Sequence, residues 1–288
     1  MKESALDPQV TTLPEELKAS LLSRLDDGKL ELPFLPDVVW EVMELSAADD
    51  VDALRLARLI QRDQSLAGHV LRVANSPAYM PRMPIVSLQQ AISLLGMNQL
   101  CEIAFAVSLQ SRIFDVPGYE HEVRALWAHA LGAAVYAKEI AQVRHRPMEG
   151  IFFCGLLHDI GKPIILQVLA DLKKELGYIL ESPIVTTIME AYHPWVGGRL
   201  AKQWSLPPQV HESITCHHDY QIALAYPEVV RVTALADCLS YYTVLPDIFE
   251  EGDVRNHPVL EELHLSPRQV DALLARREAV LLAVRAMA

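Results

Sequence analysis

The stretch Phe152–Lys162, reading FFCGLLHDIGK, restricts this chain more than any other. A run of apolar residues ends on an adjacent imidazole and carboxylate, His158 and Asp159, and then meets Gly161. The pattern predicts a buried helix closing on a left-handed glycine. Two ionisable groups are thereby placed where the protein is expected to be dry. Even a neutral polar group without a partner costs about 2 to 7 kcal/mol in such a place, and a carboxylate costs more. A metal ion is the natural partner for this pair, provided that the chain supplies further ligands.

The rest of the chain reads as helix. Apolar residues recur at three and four spacing, and no stretch shows period-two alternation bounded by hairpin turns, so an all-α fold is expected. The first dozen residues are polar and read as frayed. Pro14-Glu15-Glu16 starts a helix that Asp26-Asp27-Gly28 ends, and a second carries Val38, Val39, Val42, Met43 and Leu45. A third begins near Asp50–Asp52, and Asp63-Gln64-Ser65 separates it from the helix Leu66–Ala74. Asn75-Ser76-Pro77 reads as a helix stop in preference to a partner-binding loop. An irregular connection, Tyr79–Val86, follows, and Ser87 with Gln90 fits a capping box for the next helix. Met97–Ile113 is a long apolar helix, and Phe114–Tyr119, with Pro117-Gly118, is the expected boundary between two helical lobes.

Beyond that boundary the histidines concentrate. A helix over Glu120–Val143 puts His129 on its inward face with Leu126, Ala130 and Ala133. Helices are expected from about Pro163, from Ser182-Pro183 to Tyr192, and from His193-Pro194 onward. The helix from Pro207-Pro208 ends in Cys216-His217-His218-Asp219, and Pro227–Tyr242 is apolar on nearly every side around one acid, Asp237. After Asn256-His257-Pro258 two short helices are expected, the second running from Pro267 and packing across the lobes.

Composition excludes several classes. The chain has 288 residues and a formal net charge of -12, with no basic block beyond Arg144-His145-Arg146. It therefore lacks the electrostatic footprint for nucleic acid or an anionic membrane surface. The amino terminus has no apolar core of a signal peptide, and no later run reaches a membrane span without charges, so a cytoplasmic location is expected. Cys101, Cys154, Cys216 and Cys238 form no CxxC pair and read as reduced thiols.

The residues that carry chemistry are His129, His158, Asp159, His193, His217, His218 and Asp237. Imidazole and carboxylate together suit a divalent transition metal, and a shared carboxylate can bridge two ions. Each residue also has a structural reading. His129 can be a hydrogen-bonded core histidine, and His193 a helix cap. Asp237 can pair with Arg231 or Arg199, and Lys162 can be solvated or paired with Asp159. His69, His121, His145, His211, His257 and His264 read as structural or surface residues.

The series H, HD, H, HH, D, with Lys162 after HDIG, resembles the HD superfamily of metal-dependent phosphohydrolases, and HPWVGGRLA resembles the HPxxG segment of its HD-GYP branch. LPFLPDVVWEVMEL, RLIQRDQSLAGHVLRVANSPAY and SLQQAISLLG are similar to the amino-terminal part of the HDOD family, a bacterial signalling relative. The likeness covers about residues 25–240. It implies an HD-like helical bundle with a central metal site over 119–245 behind an N-terminal helical lobe over 1–118; residues 246–288, beyond the likeness, are expected to form a C-terminal helical extension. It also implies one ion on His129, His158, Asp159 and Asp237, with Asp159 bridging to a second ion on His193 and His217 or His218. Iron, manganese and zinc are the metals implied. If the site turns over, Asp159 and Lys162 are the catalytic candidates, with Lys162 near a phosphate oxygen of a nucleotide or other phosphoester. Where HD-GYP proteins continue HHExxDGxGYP, this chain has His217-His218-Asp219-Tyr220-Gln221-Ile222 and no GYP. The family implies a signal-transduction regulatory or output role with a signalling protein as partner; the alternatives are an active metal-dependent phosphohydrolase or phosphodiesterase on a nucleotide or cyclic dinucleotide, and a helical adaptor.

Overall fold

Residues 15–25, 32–33, 40–42, 45, 53–177 and 180–287 are described in the computed structural model of the protein. The expected frayed start, the Asp26-Asp27-Gly28 stop and most of the Val38–Leu45 helix lie outside them. Among the described residues every regular element is helical. The first group comprises α1 (Glu15–Leu25), α2 (Ala53–Gln61), α3 (Gln64–Ala74), α4 (Leu88–Leu95) and α5 (Met97–Ile113). The second comprises α6 (Glu120–Val143), α7 (Ile151–Leu157), α8 (Gly161–Leu176), α9 (Ser182–Gln203), α10 (Pro208–Cys216) and α11 (Pro227–Val244). Four short helices finish the chain: α12 (Glu251–Arg255), α13 (Val259–Glu262), α14 (Pro267–Leu274) and α15 (Arg277–Met287).

Local chemistry sets these boundaries. Asp63 caps α3 by accepting from the Ser65 and Leu66 amides at 2.8 and 3.1 Å, which satisfies two of the four orphan donors at a helix start. Ser87 caps α4 through the Gln90 amide, but the Gln90 side chain reaches back to the amide of Val86 rather than of Ser87, one residue earlier than a capping box requires. The last segment has a break between α14 and α15 where one helix was expected, and α15 packs on α6 and α11 as well as on α3 and α5.

Asn75 does more than stop α3. Its amide nitrogen donates to the carbonyls of Leu71 and Ile85, and its oxygen accepts from the Ile85 amide, all at 2.8 Å. That pairing clamps the connection 76–86, whose Met80, Met83 and Val86 side chains project into solvent.

The two groups of helices share one continuous core. Phe114, Val116 and Tyr119, in the connection between α5 and α6, are themselves buried in it. Pro33 also meets the far end of α9, where Trp204 Nε1 donates to its carbonyl at 2.8 Å.

Around the site, α6 and α11 run together over their length. Ser240 Oγ donates to the His129 carbonyl at 2.7 Å, and Tyr136 and Thr243 share a 2.7 Å hydrogen bond. The left-handed glycine expected at 161 is not there. His158 and Ile160 keep right-handed helical dihedrals through a three-residue turn, and Gly161 is the first residue of α8. Its role is close approach: a Cβ on Gly161 would stand 2.1 Å from the His193 carbonyl oxygen, and one on Gly155 would stand 2.6 Å from the Ala133 carbonyl oxygen. Glycine on either side of the His158-Asp159 turn thus lets it press against α9 and α6 together.

A second correction concerns Pro194, which lies inside α9 and does not start a helix. It removes the N–H that would bond the Glu190 carbonyl, and tertiary packing of Val196, Gly197 and Leu200 carries the helix through. Ile151–Leu176 is long and apolar enough by composition to cross a membrane, but any stretch of it that long includes Asp159 and Lys162, and 94% of its apolar window is buried inside the protein. It is the central layer of the core, interrupted by the turn that carries the site.

Candidate metal centre

Five elements deliver all seven of the expected side chains to one place. His129 comes from α6, His158 and Asp159 from the turn after α7, His193 from α9, His217 and His218 from the end of α10, and Asp237 from α11. Three sets of these residues have ligand atoms mutually within 4.8 Å: Asp159 with His193, His217 and His218; His129 with His158 and Asp159; and His158 with His217 and Asp237. The two oxygens of Asp159 divide the cluster. Oδ2 lies 3.6 Å from His129 Nε2 and 3.5 Å from His158 Nε2, and Asp237 Oδ1 lies 3.0 and 3.4 Å from the same two nitrogens. Oδ1 faces the other way, 3.1 Å from His193 Nε2 and 3.5 Å from His217 Nε2. His218 Nε2 completes that side at 3.0 Å from His193 Nε2. Where the sequence left His217 and His218 as alternatives, both converge.

The backbone fixes the rings. His158 Nδ1 donates to the Gly155 carbonyl at 2.7 Å, His193 Nδ1 to Met189 at 2.9 Å, and His217 Nδ1 to Ser213 and Ile214 at 3.1 Å. A carbonyl can only accept, so each of these rings carries a proton on Nδ1 and turns Nε2 toward the cluster. Ligating histidines are oriented in this way.

The residues present fit a cation. Both oxygens of Asp159 and Oδ1 of Asp237 are buried without a hydrogen bond of good geometry. Orphaned buried acceptors are costly, and a divalent ion would satisfy them with the adjacent imidazoles. The acidities of the two carboxyls agree. Burial pushes both carboxyls up, but Lys162, His158 and His193 together hold Asp159 well below the usual range, and His129 and His158 do so for Asp237. Burial lowers His158, yet Asp159 and Asp237 outweigh it and bring the ring up to about 9. His129 and His217 are lowered by burial. His218 is lowered to about 3 by burial together with the neighbouring rings of His217 and His193.

The structural alternatives resolve differently for each residue. His193 sits in the middle of α9 and caps nothing. Arg231 is taken by Glu262 at 2.6 Å, and the Arg199 guanidinium lies over the Trp195 ring. Lys162 is 1% exposed and pairs with Asp159 Oδ2 at 2.7 Å. The six remaining histidines stand outside the cluster. All four cysteines are free thiols, three of them buried.

Two residues at the site were not singled out from the sequence. Tyr241 stacks on the His129 ring with centroids 3.9 Å apart and accepts a hydrogen bond from Lys162 at 3.0 Å. Glu190 pairs with Lys162 at 2.8 Å. Helical spacing could have found both, since Tyr241 is four residues after Asp237 and Glu190 three before His193.

Comparison with known proteins follows the same lines. The sequence profile of the HDOD domain matches residues 32–220. An HDOD domain protein with unknown function from Geobacter sulfurreducens is 28% identical, and its crystal structure superposes with a TM-score of 0.69, covering 94% of this chain and 95% of that one. Two further crystal structures share the fold. One is a candidate metal-dependent phosphohydrolase from Shewanella amazonensis SB2B, with 19% identity, a TM-score of 0.71 and coverage of 96% and 100% of the two chains. The other is a candidate signal transduction protein from Marinobacter aquaeolei VT8, with 20% identity, a TM-score of 0.68 and coverage of 98% and 67%. An uncharacterised protein of Treponema pallidum (strain Nichols) is 24% identical over 238 residues, which is 80% of this chain and 45% of that relative's length. The profile match stops before Asp237, which the fold nevertheless brings to the cluster. With well over half of its length matched, the chain belongs to the HDOD domain family.

Proposed function

We propose that the chain is a regulatory or output protein of bacterial signal transduction whose HD-like cluster holds one or two divalent transition-metal ions, iron, manganese or zinc. The observation that carries the metal assignment is the division of the cluster by Asp159, each oxygen serving a separate set of imidazoles. His129, His158, Asp159 and Asp237 would hold one ion; Asp159, His193, His217 and His218 would hold the other. The signalling role is supported by HDOD membership and by the description of the Marinobacter aquaeolei relative as a candidate signal transduction protein. The connection that Asn75 clamps, with its projecting Met80, Met83 and Val86, is the surface we assign to a protein partner. We place the protein in the cytoplasm, away from nucleic acid and membranes.

A second reading, a metal-dependent phosphohydrolase on a nucleotide or other phosphoester, is favoured by Lys162 beside the shared carboxylate. Bound divalent ions supply Lewis-acid polarisation of a phosphoryl oxygen and activation of a water. The protein's own part would be positioning. The Nδ1 hydrogen bonds of His158, His193 and His217 lock the imidazoles, Tyr241 and the buried helices exclude bulk water, and the Lys162 ammonium offers charge to a phosphate oxygen.

Metal analysis of the purified protein tests the first reading; failure to retain or load iron, manganese or zinc near neutral pH would defeat it. For the second, hydrolysis of phosphodiesters should disappear in His158→Ala and in Asp159→Ala. Activity that survives both substitutions would belong to a contaminant.

A further inference from the structure

The Lys162 ammonium has three N–H donors, and three acceptors surround it: Asp159 Oδ2 at 2.7 Å, Glu190 Oε1 at 2.8 Å and the Tyr241 hydroxyl at 3.0 Å. With all three in place the ammonium is enclosed and its charge is met, so a substrate oxygen has no room beside it. The three acceptors are not equally fixed. The Asp159 side chain is 5% exposed, and the Tyr241 ring is held between His129 and Phe249, at centroid distances of 3.9 and 4.8 Å. Glu190 alone opens to water, with 45% of its side chain exposed above a lysine that is 1% exposed. Its second oxygen lies 3.8 Å from His218 Nε2, so the carboxylate spans from Lys162 to the rim of the His193–His217–His218 set.

We propose that Glu190 is an internal occupant of an oxyanion site built on Lys162, and that a phosphoryl oxygen of an incoming phosphate ester takes its place. Carboxylate and phosphate oxygens accept the same charge-assisted hydrogen bond from an ammonium. While the carboxylate is in place it neutralises the ammonium and repels a second anion. Rotation of the half-exposed side chain into water uncovers Lys162 without disturbing Asp159 or Tyr241. The site therefore binds anions against an internal competitor, and Glu190 sets its affinity. This inference rests on the phosphoester reading of the cluster.

The test is titration of inorganic phosphate into wild type, Glu190→Gln and Glu190→Ala, followed by calorimetry, on protein as purified and again after metal loading, with metal content measured in parallel. Both substitutions fall on a half-exposed side chain. Phosphate affinity should rise about tenfold in each, the factor that about 1.4 kcal/mol represents, with metal content unchanged. Equal or weaker phosphate binding in both variants at unchanged metal content would overturn the proposal. So would loss of metal, which would make Glu190 a ligand instead of a competitor. If no form loads metal, the metal reading falls while the phosphate comparison on the metal-free protein still decides the role of Glu190. If metal loads and no form binds phosphate, the oxyanion site and the phosphoester reading fall together.

Discussion

The two halves of the cluster differ in depth. On one side His129 and His158 have side chains 3% and 0% exposed, and Asp237 is 13% exposed. On the other, His193 and His217 are as deep, but His218 is 46% exposed and faces Glu190 at the surface. The inner half thus has the closed character of a structural ion site, and the outer half the open edge that lets solvent or a ligand reach an ion. The same donor chemistry serves two purposes according to burial. An inner ion would tie α6, the His158-Asp159 turn and α11 together, whereas the outer half is where exchange and ligand binding would occur.

The largest effect is expected from the residue both halves share. Asp159→Asn removes the charge that each set of imidazoles faces and leaves Lys162 paired only with the half-exposed Glu190. Metal content should fall close to zero, and denaturant unfolding should report a loss of about 3 kcal/mol, as when one partner of a buried pair is removed. Full metal content in this variant would break the idea of a bridging carboxylate. A smaller and one-sided effect is expected from His158→Gln: a protein that holds two ions should keep the outer one and lose half its metal. Loss of both ions together would erase the distinction between the halves.

Much of this cluster was readable from the sequence because buried charge is so costly. A lone acid such as Asp237 in an apolar helix, and His158-Asp159 at the end of an apolar run, demand partners wherever the helices go. Helix existence was equally plain from three and four spacing, as in Met97–Ile113 and Glu120–Val143, both of which have the expected bounds. Details fixed by tertiary approach were not. Gly161 reads locally as a left-handed stop, and its actual role depends on the His193 carbonyl, 32 positions away in sequence. Pro194 reads as a helix start, because packing that carries a helix through a missing hydrogen bond leaves no local trace. Glu190 and Tyr241 escaped since an exposed acid and a tyrosine at helical spacing are ordinary; only their common contact with Lys162 marks them.

His218 gives the finer test of the comparison. As the half-exposed member of the outer set, it can be replaced by water at lower cost than the buried ligands. His218→Ala should weaken outer-ion affinity by about tenfold, at the low end of what altered metal surroundings cost. In a chelator competition the outer ion should then leave well before the inner one. Both ions leaving at a single chelator concentration would show that depth does not separate them.

The smallest effect is expected from Glu212, which supports the outer half indirectly. It lies on α10, five residues before His217, and its carboxylate accepts from the amides of Leu224, Ala225 and Tyr226, holding the loop into α11 against α10. Burial raises this carboxyl, but the three amides together outweigh it and hold it below its ordinary value of 4.5. A depressed folded-state pKa means that the stabilisation is fully present above the unfolded value and is lost as pH falls through the folded one. Glu212→Gln should therefore lower the melting temperature by a similar small amount from neutral pH down to about pH 5, and the gap to wild type should narrow at still lower pH. Chelator release of the outer ion should quicken modestly in the same variant while the inner ion is unmoved. A gap that stayed constant down to pH 3 would mean that shape, not charge, is what Glu212 contributes to the outer half.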